Sequence, residues 1–137
     1  MQDLPTPEQL LAAVSRFLRD DAGPALAGHG DSALAYHARV AANMLDTVRR
    51  QGLLEPASDA AELIRLRALL GAGAPPGADL ATLNQVLANG IASGALHAGQ
   101  PGLAEHLWAT TLAKLAVDQP GYDTYLRHQP NQQPERP

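Results

Sequence analysis

Apolar residues along this chain recur with helical spacing in five stretches, each closed by Gly or Pro. Leu10, Leu11, Val14, Phe17 and Leu18 line one face of the first, which predicts an amphipathic helix with that stripe buried. Thr6, Pro7 and Gln9 precede it as N-cap, first helical residue and far end of a capping box, so the helix starts there. It is expected to stop before Gly23-Pro24. A second, longer helix is predicted from Asp31 or Ser32 to Gln51, with Gly52 at its end. A third opens at Ser58, carries Leu63, Leu66 and Leu70, and ends at Gly71.

The stretch AGAPPGA contains Pro75-Pro76 and reads as a loop between packed helices. Asp79 opens a fourth helix with Leu80, Leu83, Val86 and Leu87, weakened further on by Gly90 and Gly94. Pro101 and Pro120 bracket a fifth, from about Pro101 to Asp118. No strand-like alternation interrupts this pattern. The expectation is an all-α bundle of about five helices, one domain over residues 1–126, and a disordered tail from Arg127, where RHQPNQQPERP has little to bury.

Composition sharpens the picture in two ways. The apolar content is 45% but comes mostly from Ala and Leu, with Phe17, Tyr36, Trp108, Tyr122 and Tyr125 as the aromatic residues, so close helix packing is favoured over a sheet. The net charge of −4 and pI near 5.6 carry no electrostatic footprint for nucleic acid or an anionic membrane. Cysteine is absent, and the N-terminal MQDLPTPEQL has neither the basic nor the apolar region of a signal peptide. No apolar run approaches the ~18 residues of a membrane span. A cytoplasmic location is expected, with neither nucleic acid nor membrane as partner.

Polar residues inside the apolar helices are the candidate chemistry. In AYHARVAANML, Arg39 and Asn43 fall on one side of the second helix with Asp46 and Arg50, and Tyr36 sits at the edge. An outward-facing pair is the plain account of Arg39 and Asn43; the alternative is a functional patch, in which Arg39 grips a carboxylate or phosphate. His37 shares an arc with Val40, Ala41 and Met44, which predicts a side chain at least half buried, as a core or boundary histidine with one hydrogen-bond partner or, alternatively, in a ligand or catalytic role. In the fifth helix Trp108, Leu112, Ala113, Leu115 and Ala116 form a broad predicted core face, with Leu103 and Leu107 opposite. Lys114 and Asp118 lie on the less apolar side as a surface ion pair or part of a polar cluster. A helix apolar nearly all round is central to its bundle or covered by another chain.

Catalysis finds no support here. No phosphate-binding loop, dinucleotide fingerprint or nucleophile elbow occurs, and no histidine has the helical spacing to a second ligand that metal sites use. No catalytic residue, metal or cofactor is expected, and an interaction role is favoured.

Three stretches, PTPEQLLAAVSRFLRDD, YHARVAANML and TTLAKLAVDQPGY, resemble a bacterial family of small helical proteins known only as a domain of unknown function, over roughly Leu4 to Tyr125. In that family the genes usually lie beside those for aminoglycoside-phosphotransferase-like kinases and acyl-CoA dehydrogenases. The resemblance implies an accessory subunit of such a kinase, acting on hydroxyacyl-CoA intermediates. The family carries a His, Arg and Asn in the second helix and a Lys and Asp before the Gln-Pro turn, matched here by His37, Arg39, Asn43, Lys114 and Asp118. The leading expectation is a non-catalytic subunit that meets its kinase through Arg39, Asn43, Lys114 and Asp118. Alternatives are an acyl-CoA or carboxylate pocket between the second and fifth helices using His37 and Arg39, and a homodimer through the fifth helix.

Overall fold

In the computed structural model, residues 4–129 are described, so positions 130–137 of the expected tail lie outside the described residues. The chain is all-α, as the periodicity predicts; no strand occurs among the described residues. It divides into two compact units, Met1–Leu54 and Glu55–Pro137.

In the first unit α1 spans Pro7–Phe17 and opens as the sequence dictates. The Thr6 side chain accepts from the Gln9 backbone N–H at 3.2 Å, and the Thr6 N–H donates to the Gln9 side chain at 2.8 Å. Gly23-Pro24 does not stop the chain as expected. A π-helical turn, Leu18–Ala22, carries α1 into the short α2, Gly23–Gly28, with Pro24 in the first turn of α2. Here α3 begins at Ser32, with Asp31 accepting from the Leu34 N–H at 2.9 Å.

The predicted second and third helices are one. Helix α3 runs unbroken over Ser32–Leu70 with Pro56 inside it. A proline in a helix interior removes the bond to the carbonyl four residues earlier and crowds it. That carbonyl belongs to Gly52, whose lack of a side chain leaves the backbone free to adjust.

Packing in the first unit uses small residues. Ala38 and Ala42 of α3 are buried, and so is Ser15 of α1, whose hydroxyl donates to the Ala42 carbonyl at 3.2 Å. With the Glu8–Arg49 contact at 3.3 Å, this fixes α1 and the first half of α3 as antiparallel neighbours. The predicted buried stripe is only partly inside: Leu11 and Leu18 are half-buried, while Leu10, Val14 and Phe17 are exposed. A helix pair brought close by Ala and Ser has no room for larger side chains on its axis of contact, so these point away.

The second unit holds the leucine core: Leu66, Leu83, Leu87 and Leu103, with Leu63, Leu69, Leu70, Leu80 and Leu96 packed against it. A 3₁₀ turn, Gly71–Gly73, and the Pro75-Pro76 loop lead to α4, Leu80–Ala92, capped by Asp79, which accepts from the Thr82 N–H at 2.8 Å. Gly90 does not break α4. A Cβ there would meet Leu96 Cδ1 at 2.8 Å, so glycine lets the following loop fold tightly against the helix. Helix α5 spans Leu103–Asp118 and α6 spans Asp123–His128; α6 extends helix to Arg127 and His128, assigned to the tail from sequence. No helix among the described residues is long and apolar enough to cross a membrane.

Candidate functional site

In the first unit the polar positions of α3 form a cluster with α1. Arg19 reaches over from the π-helical turn and donates to Asp46 at 2.7 Å and to Asn43 at 3.2 Å. Burial alone would raise the Asp46 pKa, but hydrogen bonding from Arg19 and Ser15, with the positive charges of Arg19 and Arg49, together outweigh it and hold the carboxyl below its ordinary range. Arg19 was not anticipated: its partners lie 24 and 27 residues away, a separation that helical spacing cannot bridge. Arg39 is left out of this network. Its guanidinium carbon lies 5.9 Å from the centre of the Tyr36 ring, and it makes no ion pair among the described residues.

Arg39 and Arg19 both border a cavity of about 390 Å³. Leu18, Gly23 and Ala35, all half-buried, form its base; Pro24, Ala27, Ser32 and Tyr36 complete the exposed mouth with the two arginines. The π-helical turn contributes Leu18 and Arg19 to this space, and π turns of this kind recur at functional sites. Gly23 sits where a Cβ would come within 3.1 Å of the Leu18 carbonyl.

His37 is exposed, not half-buried as its arc predicts. The buried side of α3 here is the one with Ala38 and Ala42; the Met44 side faces outward, with Met44 itself 64% exposed. Large apolar residues misdirect a helix wheel when alanine makes the contact. The His37 ring lies against Tyr36, with centroids 5.8 Å apart.

Lys114 and Asp118 belong to the second unit. Both are exposed, and no ion pair joins them among the described residues. The predicted core face of α5 is also rotated: Leu103 is buried, whereas Trp108 is 44% exposed and meets His128 edge-on at 5.2 Å.

His106 is a buried polar residue outside the candidates that helical spacing offers. It is 2% exposed, and its Nδ1 is buried without a hydrogen-bond partner, as is Nε of Arg65. Burial, then the Arg65 charge, push its pKa down, against the raising influence of Glu62. Glu62 is itself buried and accepts from Asn84 at 2.7 Å. The available signal was its place one turn after Leu103 on the same face.

A family model described as a domain of unknown function, DUF6285, matches residues 24–122. The chain belongs to that family. The match is narrower than the resemblance from Leu4 to Tyr125 expected: it includes His37, Arg39, Asn43, Lys114 and Asp118 but leaves out α1 and Arg19. No curated protein and no solved structure matches the chain.

Proposed function

We infer that this protein is a non-catalytic accessory subunit that acts by protein–protein contact in the cytoplasm. Its partner on this reading is an aminoglycoside-phosphotransferase-like kinase that phosphorylates hydroxyacyl-CoA intermediates. The partner's identity comes from the gene neighbourhood that the family resemblance implies.

The observation that carries the interaction reading is an exposed apolar stripe on the first unit. Leu10, Val14 and Phe17, spaced four and three apart on α1, are 48%, 48% and 56% exposed. On α3, Leu34, Ala41 and Val48 recur every seven residues, with Leu34 and Val48 49% and 56% exposed. At 100° per residue, and with the helices antiparallel, both rows fall on the flank away from the Arg19 cluster. Two helices that leave such a seam present the receiving half of a three-helix packing. A partner helix with apolar residues at matching spacing would fill it.

Co-purification of the tagged full chain from its native host, followed by size-exclusion chromatography, tests the reading. A kinase of the stated type eluting in fixed stoichiometry is expected, and Phe17→Glu should displace it. Elution alone as a monomer overturns the accessory role, and elution alone as a homodimer assigns the seam to a second copy.

A further inference from the structure

The cavity bordered by Arg19 and Arg39 lies apart from the apolar seam, and its chemistry is of another kind. We propose that it is a binding site for a small carboxylate carrying a short apolar chain. This stands independently of the kinase partner.

The charge count selects a single negative charge. Arg19 is neutralised by Asp46 at 2.7 Å, so of the two cations at the cavity only Arg39 is uncompensated, and no acidic residue lines the space. A guanidinium with its fork free matches the two oxygens of a carboxylate. The Tyr36 ring, 5.9 Å from the Arg39 guanidinium carbon, steadies the cation over its face. Ser32 and Tyr36 add hydroxyls among the lining residues. A dianion such as phosphate would carry one charge more than the site offers.

The apolar part of the site selects the rest of the molecule. Leu18, Pro24, Ala27 and Ala35 line the same space, and a volume of about 390 Å³ falls within the range of small-ligand pockets, roughly 300–1,000 Å³. An unsubstituted anion leaves those walls wet. A carboxylate with a few methylenes covers them, and each methylene taken out of water adds to the binding.

Titration of the ¹⁵N-labelled full chain with sodium hexanoate, followed by amide chemical shifts, is the test. Saturable millimolar binding is expected, with the largest shifts at Ser32, Ala35, Tyr36 and Arg39. Hexylamine, and inorganic phosphate at a pH above neutral where it is chiefly the dianion, should leave these amides unmoved. Arg39→Gln should weaken hexanoate at least about tenfold, the equivalent of one charge-assisted hydrogen bond, with an unchanged melting curve because Arg39 is exposed. Ala27→Leu, which fills part of the apolar wall, should weaken hexanoate more than acetate. Absence of shifts at this cavity, an equal response to phosphate or hexylamine, or full retention of binding in Arg39→Gln would each overturn the proposal. None of these outcomes depends on whether a kinase co-purifies.

Discussion

His106 places a titration inside the second unit. Burial and the Arg65 charge lower its folded pKa, whereas in the unfolded chain it titrates near 6.5. Above that value both states are neutral and the residue has no pH effect. As pH falls through about 6.5 the unfolded chain takes up the proton first, so stability is lost progressively until the folded pKa is reached. Melting temperature should therefore drop as pH falls below about 7, and His106→Leu should flatten that drop. Equal slopes in the two proteins would show that other groups govern the acid sensitivity. Ala42 tests packing at the same scale. It is 0% exposed beneath Ser15, so Ala42→Leu should cost about 1–3 kcal/mol or more in urea denaturation by forcing α1 and α3 apart.

Among the elements, α3 is the one whose local signals point against its structure. Gly52 and Pro56 both read as an end, yet the helix passes through them. Since a helix-interior proline is less favourable than alanine by up to about 3 kcal/mol, Pro56→Ala should raise stability, read as a higher urea midpoint with unchanged slope. A lower midpoint would mean that the proline makes a packing contact outweighing its backbone cost. Helix starts were legible because their determinants are local: Thr6 with Gln9 and Asp79 with Thr82 span three residues each. Helix faces were legible where leucine dominates, as at Leu66, Leu83 and Leu87. They were not where alanine makes the contact, which turned His37 outward, nor in α5, where apolar residues on every side left the choice of Leu103 over Trp108 to tertiary packing. The Arg39 and Asn43 candidates could be named from sequence, but Arg19 and the cavity depend on contacts between α1, α2 and α3 that no spacing rule encodes.

For the molecule as a whole, the two units differ in what they bury. The second has a connected leucine core, while among the described residues the buried ones of the first are Ser15, Ala38 and Ala42. Regions with few large buried contacts open at lower free energy, so amide exchange should be slower at Leu83, Leu87 and Leu66 than in α1. Comparable protection would show that the first unit draws stability from something other than its apolar burial. The π-helical turn at Leu18–Ala22 also leaves a mark on ancestry. A π turn is an α-helix holding one residue beyond its regular count, so a relative in which one position between 18 and 22 has been deleted would run straight from the first helix into the second. Its first helix would then be rotated by about 100°, bringing a residue other than Ser15 toward α3. In such a lineage the small residue that permits close approach should reappear one place along, and Arg19 and the space it borders should be lost together.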